Sequence, residues 1–338
     1  MKHAMFSLAL GAAVGLAAAS ATAATLDDVK AKGHIQCGVS QGTPGFSNPD
    51  DMNRWTGLDV DFCRGVAAAI FNDPEAVRFT PLTAKDRFTA LQSGEVDILS
   101  RNTTWTMGRD TALGLKFAGV TYYDGQGFMV RRDLGVASAK ELGGASVCTQ
   151  TGTTTELNLA DYFRTNNMDY EVVAFENNAE VIDSYDAGRC DVFTTDASGL
   201  YATRLKLASP DEHMVLPEII SKEPLGPVVR QGDDQWFNVV KWTFNALLVA
   251  EELGVDSENI DSMMDSDNPE IRRLVGAEGS FGEGIGLSND WAVNIIKAVG
   301  NYGEIFERNV GPDTPLKIDR GVNNLWTEGG IQYGMPIR

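Results

Sequence analysis

Short apolar segments alternate with amphipathic segments along the first part of the chain. The segments 34–39, 77–82 and 97–99 are short and mostly apolar, whereas 60–71 and 87–93 carry apolar residues at helical spacing. Strands that alternate with helices in this way favour a parallel sheet covered by helices. We therefore predict an α/β lobe in this region.

The same alternation of strands and helices starts again further along the chain. The segments that carry it are 146–149, 171–175 and 191–195 as strands and 154–163 and 179–185 as helices. In addition, 93–99 and 187–193 share one pattern, namely a helix end, a glycine, an aspartate and an apolar strand. We predict a second α/β lobe built on the same plan.

Glycine and proline punctuate two extended segments, 122–130 and 219–229, which we interpret as crossings between the lobes. Two crossing strands form a natural hinge, because a few backbone torsions can open a cleft while both cores stay intact. We assign 24–127 and 224–338 to the first lobe, which then includes a helical C-terminal extension, and 128–223 to the second lobe.

The N-terminus has the pattern of a secretory signal peptide. Lys2 precedes an apolar run over 4–19, and Ala21-Thr22-Ala23 supplies small residues for cleavage. A short membrane helix is the alternative, although glycine and serine interrupt the run. No later segment is apolar over the roughly 20 residues that cross a bilayer. We predict a signal peptide over 1–23, cleaved near Ala23.

The chain is acidic, with a formal net charge of −19 at pH 7. Such a charge repels nucleic acid, and no basic segment offers a site for phosphates. We therefore exclude nucleic acid as a partner. An acidic balance more often serves solubility, so it does not indicate the charge of a ligand.

The four cysteines of the chain lie beyond the predicted signal peptide. Cys37 ends a strand and Cys63 lies in the next predicted helix, while Cys148 and Cys190 fall in strands much further along. An even number of cysteines in an exported chain is typical of disulfides. A metal site is the alternative, but no Cys-x-x-Cys spacing occurs. We predict disulfides Cys37–Cys63 and Cys148–Cys190 and no metal.

The chain lacks the sequence motifs of common enzymes. It contains no Gly-x-Ser-x-Gly, His-Glu-x-x-His or Gly-x-x-x-x-Gly-Lys segment. Pairs of carboxylates could still transfer protons, but 47 acidic residues produce such pairs by chance. We expect no catalytic residues and no cofactor.

Two charged residues follow predicted strands at the sheet edge where open α/β sheets bind ligands. Arg109 ends the polar loop after strand 97–99, and its planar guanidinium suits a carboxylate. Asp196 follows strand 191–195 and suits an ammonium group. The alternatives are a solvated arginine at a helix start and an aspartate that caps a helix.

Two further segments are candidates for ligand contacts. The turn 150–156 lies between a strand and a helix, so its backbone N–H groups favour an anion, either carboxylate or phosphate. Helix capping by threonine and glutamate is the alternative use of this turn. Phe46, after the first strand, could pack on an aliphatic ligand stem or belong to the core.

Two ordered motifs resemble a known family. Gly57-Leu58-Asp59-Val60-Asp61-Phe62-Cys63 is similar to the Gly-Phe-Asp-hydrophobic-Asp signature, and Leu91-Gln92-Ser93-Gly94-Glu95-Val96-Asp97 to the Leu-x-x-Gly-x-x-Asp segment, of periplasmic amino-acid-binding proteins of ABC importers, solute-binding family 3. The resemblance spans nearly all of the chain after residue 23. The segments 100–105 and 268–273 resemble the general L-amino-acid-binding subgroup.

The resemblance implies a two-lobed type II periplasmic binding protein fold and a role for each candidate residue. Arg109 stands at the family's carboxylate-binding arginine, Thr104 and Asn102 at ligand contacts, and Asp196 at the ammonium-binding aspartate. Gly152-Thr153-Thr154 resembles the turn whose backbone meets the carboxylate. The implied partners are a free L-amino acid and an inner-membrane permease with its ATPase, and we expect a periplasmic monomer.

The ligand range implied by the resemblance is broad and favours polar amino acids such as glutamate, glutamine and aspartate. The aromatic residue usual near Thr43 in binders of basic amino acids is missing, and Arg101 adds a cation that suits a side-chain carboxylate or amide oxygen. The alternatives are a binding protein for another small anion, an enzyme built on the same fold, and a receptor's sensor domain.

Overall fold

The structure is a computed structural model that describes residues 24–338; the predicted signal peptide lies outside the described residues. The strands are β1 (Ile35–Val39), β2 (Asn48–Pro49), β3 (Trp55–Thr56), β4 (Val77–Pro81), β5 (Ile98–Leu99), β6 (Leu115–Phe117), β7 (Tyr122–Asp124), β8 (Gln126–Arg131), β9 (Ser146–Gln150), β10 (Glu171–Phe175), β11 (Val192–Asp196), β12 (His213–Val215), β13 (Glu223–Leu225) and β14 (Val228–Arg230).

The helices alternate with these strands through both lobes and continue alone at the C-terminal end. They are α1 (Thr25–Lys32), α2 (Leu58–Phe71), α3 (Arg87–Ser93), α4 (Met107–Ala112), α5 (Thr154–Thr165), α6 (Asn178–Asp186), α7 (Ala197–Arg204), α8 (Asp234–Glu252), α9 (Ile260–Met263), α10 (Pro269–Leu274), α11 (Phe281–Gly284), α12 (Trp291–Val299) and α13 (Tyr302–Asn309).

The first lobe is built on a five-stranded sheet in the order β4-β1-β5-β14-β6. β1 pairs in parallel with β4 and β5, while β14 returns late in the chain and pairs antiparallel with β5 and β6. The parallel strands therefore end at a common edge, as the alternation of strands and helices predicts. Every predicted strand and helix of this lobe is present, with ends within two residues of the prediction.

The second lobe repeats this plan with a sheet in the order β10-β9-β11-β8-β12. Side chains of β8 alternate between two apolar clusters: Phe128 and Val130 pack with Phe163 under α5, and Met129 packs with Tyr185 under α6. This two-residue period arises because successive side chains of a strand point to opposite faces of the sheet. Both faces of the second sheet are consequently covered.

Two antiparallel strands, β7 and β13, connect the lobes, and Tyr122 pairs with Leu225 within them. They fall inside the two segments predicted to cross, which places the hinge where glycine and proline punctuate the sequence. The lobe limits at 127/128 and 223/224 remain a prediction. β8 already pairs in the second sheet from Gln126 onward.

The C-terminal extension packs on the first lobe and reaches the hinge. Helix α12 lies against α2 and α8. Further along, Asn323 bonds both backbone groups of Tyr123 in β7: its Oδ1 accepts from the amide at 2.7 Å, and its Nδ2 donates to the carbonyl at 3.0 Å. The extension therefore contributes to the core and holds one hinge strand.

Both predicted disulfides are present. Cys37 is bonded to Cys63, which joins β1 to α2 in the first lobe, and Cys148 to Cys190, which joins β9 to the segment before β11 in the second. Each lobe thus carries one cross-link between its own elements. Among residues 24–338, no helix combines the length and apolar content needed to cross a membrane.

Candidate functional site

A polar cavity of about 80 Å³ lies between the lobes at the carboxyl ends of the parallel strands. This is the edge where open α/β sheets bind ligands. The predicted residues that line the cavity are Arg101, Asn102, Thr104, Thr153, Thr154 and Asp196. Sequence regions more than 90 residues apart therefore meet at one site.

The loop after β5 forms the floor on the first-lobe side. Buried Asp59 of α2 holds this loop, because its carboxylate accepts from Ser100 Oγ at 3.0 Å and from the amide of Asn102 at 3.2 Å. Burial raises the pKa of Asp59 to about 6, and these two hydrogen bonds oppose the rise. Asn102 itself has a φ of 40°, a left-handed conformation that asparagine tolerates better than most residues.

Two buried arginines face the cavity from the first lobe. The side chain of Arg101 donates from Nε to the carbonyl of Leu82 at 2.9 Å, and burial lowers its pKa to about 10. Arg87 starts α3, is 3% exposed, and has no hydrogen-bond partner for Nε among the described residues. Burial, together with the nearby Arg101 and Arg109, lowers the pKa of Arg87 as well. Because guanidinium is the most basic side-chain group in proteins, the wall that these two arginines form favours an anion.

Arg109 lies beside this wall, outside the residues that line the cavity. Its Nη1 donates to the carbonyl of Thr104 at 2.9 Å, and its guanidinium stands 5.1 Å from the ring centre of Phe88. Burial lowers its pKa, opposed by Glu223 and Asp196. Arg109 is thus a partly buried cation at the cleft, which excludes the alternative of a freely solvated arginine.

On the second-lobe side, the turn before α5 combines capping with access to the cavity. The Thr153 hydroxyl caps α5 by accepting from the amide of Glu156 at 3.2 Å, and the Glu156 carboxylate accepts from the amide of Gly152. Gly152 has a φ of +75°, which favours glycine. The turn therefore caps helix α5, and Thr153 and Thr154 also line the cavity.

Asp196 ends β11 and precedes α7, but its side chain makes no capping hydrogen bond. The carboxylate is therefore not engaged by the helix, in contrast to the capping alternative. Burial raises the pKa of Asp196, the neighbouring carboxylates Asp124 and Glu223 raise it further, and Arg87 and Arg109 oppose the rise. This half-buried carboxylate, which lies near two other carboxylates, is stabilised by an incoming cation.

Phe46 lies in the core of the first lobe and does not line the cavity. It is 1% exposed and meets Tyr122 edge to face, with ring centres 5.2 Å apart. The core alternative therefore describes its position in this structure. A contact between Phe46 and a ligand stem remains only a prediction.

Several residues that line or support the cavity are not predicted from the sequence. Arg87, Ser40 and Thr43 line the cavity, and Glu223 lies behind Thr104 and Thr154. The first three could be found from the sequence, since each follows the end of β1 or β4 at the same sheet edge. No local pattern marks Glu223.

Polar contacts join the lobes around the mouth of the cavity. Lys206 of the second lobe donates to the carbonyl of Gly42 at 2.6 Å, and Lys85 of the first lobe pairs with Glu176 at 3.1 Å. The structure thus has the two lobes in contact over the cleft. In the described part of the chain, no group of three or more His, Cys, Asp or Glu side chains is arranged to hold a metal ion.

Comparison with known protein families shows the family of this chain. Residues 35–255 match the family model of bacterial extracellular solute-binding proteins, family 3. The chain belongs to this family. The family prediction is therefore confirmed.

Individual relatives match over the full chain. The general L-amino acid-binding periplasmic protein AapJ of Rhizobium johnstonii is 63% identical over 341 residues, which cover 100% of both chains. The glutamate/glutamine/aspartate/asparagine-binding protein BztA of Rhodobacter capsulatus is 54% identical and covers 100% of this chain and 99% of its own. The relatives are solute-binding proteins, and AapJ is periplasmic.

A solved structure agrees with the fold. An ABC transporter periplasmic binding protein from Brucella ovis, solved with glutathione bound, is 61% identical, with a TM-score of 0.92. The match covers 94% of this chain and 100% of that one. The predicted α/β, two-lobed type II fold with a helical C-terminal extension is thereby confirmed.

Proposed function

We propose that this protein binds free L-amino acids between its lobes, polar ones foremost, and delivers them to the permease of an ABC importer. One observation carries the proposal. Buried arginines on the first-lobe side of a cavity face Asp196 on the second-lobe side, a half-buried aspartate that does not cap its helix. A zwitterion needs both charges countered when it leaves water, and the two sides supply them.

Each end of the amino acid has a separate set of partners in this proposal. Arg109 and the backbone of the turn Gly152-Thr153-Thr154 hold the α-carboxylate, and Asp196 holds the ammonium group. Thr104 and Asn102 complete the contacts of the main chain. These roles follow the family resemblance. The placement of Asn102, Thr104, Thr153, Thr154 and Asp196 around one cavity supports theirs, and Arg109 lies beside that cavity.

The side chain of the amino acid points toward Arg87 and Arg101 in this proposal. Both guanidiniums are buried and line the cavity, so an anionic or amide side chain finds a ready partner there. Glutamate, glutamine and aspartate are therefore the preferred ligands. The names of the AapJ and BztA relatives support a broad range that includes these amino acids.

Binding proceeds in two steps. The ligand docks on the first lobe, and the second lobe closes over it by rotation about β7 and β13. Asp196 and Thr154 reach the ligand only after closure, which gives the closed state the higher affinity that a population shift requires. The permease with its ATPase then recognises the closed periplasmic protein, and the bound molecule leaves chemically unchanged.

A thermal-shift panel of the twenty amino acids tests this function. A ligand at 100 times its dissociation constant stabilises the folded protein by about 2.7 kcal/mol, which shifts the melting temperature by a few degrees. We expect shifts with glutamate, glutamine and aspartate, and unchanged ligand after incubation. A panel without any shift, or formation of a product, would contradict the proposal in favour of another anion or an enzyme.

A second candidate ligand class is a γ-glutamyl peptide such as glutathione. A further cavity of about 440 Å³ at the cleft mouth shares Gln41 and Asn178 with the amino-acid cavity and includes Lys206. A glutamyl group in the inner cavity would leave the rest of the peptide in the outer one. The Brucella ovis relative with bound glutathione supports this class. We expect Lys206→Ala to weaken glutathione binding several-fold more than glutamate binding, because the loss of its contact with Gly42 between the lobes affects both ligands and cancels in the ratio of the two affinities.

A further inference from the structure

Glu223 is a buried carboxylate with hydrogen-bond donors from both lobes. It starts hinge strand β13, is 1% exposed, and does not line the cavity. Its Oε2 accepts from Thr104 Oγ1 of the first lobe at 2.6 Å and from Thr154 Oγ1 of the second lobe at 2.9 Å. Asn158 Nδ2 and Ser221 Oγ donate to Oε1. All four contacts have hydrogen-bond geometry.

The chemistry of this cluster determines the direction of each hydrogen bond. An ionised carboxylate has no proton to donate, and a threonine hydroxyl has a single one. Thr104 and Thr154 therefore both donate their hydroxyl protons to Glu223 and not to each other, although their Oγ1 atoms are only 3.3 Å apart. What remains of each hydroxyl for the cavity is its lone pairs. Both threonines then present acceptors, and no donors, to a ligand.

We propose that Glu223 is a positioning residue that fixes the hydroxyls of Thr104 and Thr154 as acceptors, and thereby selects ligands that carry an α-ammonium group. The inference rests on the proposed amino-acid site and names a residue that sets its selectivity. An ammonium group has three donors to share among Asp196 and the two hydroxyls. A ligand with only carboxylates meets lone pairs at the same place, which is repulsive.

Replacement of Glu223 by glutamine removes this constraint with little change in size. The amide has one acceptor oxygen and an NH₂ group that donates. Asn158 Nδ2 and Ser221 Oγ donate on the Oε1 side, so the amide oxygen satisfies them when it lies there. The NH₂ group then faces the two threonines, and at least one of them turns its proton toward the cavity. A hydroxyl that donates into the cavity repels an ammonium group and attracts a carboxylate. The variant should therefore alter which ligands bind, and not merely how well.

The experiment is calorimetric titration of the purified protein with L-glutamate and with glutarate, the same diacid without the amino group. We expect Glu223→Gln to lower the preference for glutamate over glutarate by at least about tenfold, because hydrogen bonds to charged groups are worth that much or more. Glu223→Asp keeps the carboxylate and should retain most of the preference. Ser221→Ala is the matched control, because it removes a hydroxyl that donates to Glu223 and accepts from the amide of Gln126 but does not line the cavity.

A purely structural role for Glu223 would weaken both ligands equally, and that result would overturn the inference. Thr154→Val supplies a second route should Glu223→Gln fail to fold, since it removes one acceptor and leaves the carboxylate in place. It should likewise reduce the preference for glutamate, and an unchanged preference in a folded variant would also overturn the inference. Absence of glutamate binding by the wild-type protein would instead refute the proposed function.

Discussion

The two sides of the cleft differ in charge and in the way the chain holds them. On the first-lobe side, Arg87 and Arg101 are almost fully buried, and a loop bonded to Asp59 positions their surroundings. On the second-lobe side, Asp196 and a capped helix N-terminus face the same cavity. One side offers cations within a rigid frame, and the other offers an anion and hydroxyls.

This difference in charge explains why both lobes are needed for binding. Each side alone carries buried charge without full compensation, which is costly. A zwitterionic ligand compensates both sides at once, so it gains most when the lobes are together. The asymmetry also predicts the order of the losses in binding free energy. The loss should be largest when the arginine that pairs with the ligand's α-carboxylate is removed, smaller when the aspartate that pairs with its ammonium group is removed, and smallest when a contact to its side chain is removed.

The largest expected effect tests the first-lobe side. Arg109→Ala should weaken amino-acid binding by about 3–5 kcal/mol, or on the order of 10²–10³-fold or more, because the ligand carboxylate is left without its charged partner. Calorimetry with glutamate and glutamine measures the loss. Arg164→Ala, whose side chain is 78% exposed on α5, is the control and should bind as the wild type. Wild-type binding by Arg109→Ala would mean that the neighbouring arginines hold the carboxylate.

A smaller effect is expected on the second-lobe side. Asp196→Asn should weaken binding by about 1.5–3 kcal/mol, the range for a hydrogen bond to a charged group. The exposed Asp161→Asn is the matched control and should leave binding unchanged. If the Asp196→Asn protein bound with full affinity, Asp196 would not be the partner of the ammonium group. The second-lobe side would then not supply the negative charge that distinguishes it from the first-lobe side.

The raised pKa of Asp196 adds a pH signature to this variant. Protonation neutralises the carboxylate, so affinity should fall as the pH falls through the raised pKa, and binding should weaken as the pH is lowered across the acidic interval below neutrality. Glutamine is the ligand to use, because its side chain does not titrate in this interval. The carboxyl groups of Asp124 and Glu223 also face Asp196 and are present in both proteins. The part of the pH dependence that Asp196→Asn removes therefore belongs to Asp196.

The smallest effect concerns the side-chain end of the cleft. Arg101→Ala should lower the affinity for glutamate by about tenfold, roughly 1.4 kcal/mol, relative to leucine, since only glutamate has a side-chain charge to lose its partner. The ratio of the two dissociation constants is the readout, and a general loosening of the loop cancels in it. Unchanged relative affinities would show that Arg101 does not contribute to specificity.

Much of this architecture can be predicted from the sequence because its signals are local. The alternating apolar pattern predicts both lobes, and the segments punctuated by glycine and proline contain both hinge strands. The disulfides follow from the succession of strand and helix around Cys37 and Cys63 and from the remaining pair. At the cleft, Asp196 and Thr154 are found because they follow predicted strands.

What the sequence does not predict depends on contacts between distant residues. Asp59 holds the loop at Ser100, 41 positions further along, and Glu223 bonds Thr104 across 119 positions. No local pattern encodes either contact. Phe46 illustrates the converse problem, since an aromatic residue beside a sheet edge has the same local pattern whether it faces a ligand or the core.

One titration tests most directly whether the cleft holds both charges of an amino acid. Wild-type protein is titrated calorimetrically with L-glutamate, with glutarate, which lacks the ammonium group, and with 4-aminobutyrate, which lacks the α-carboxylate. The two-sided cleft predicts that each analogue binds at least about 100-fold more weakly than glutamate, because each leaves one buried charge of the protein uncompensated. An analogue that bound as tightly as glutamate would contradict the account.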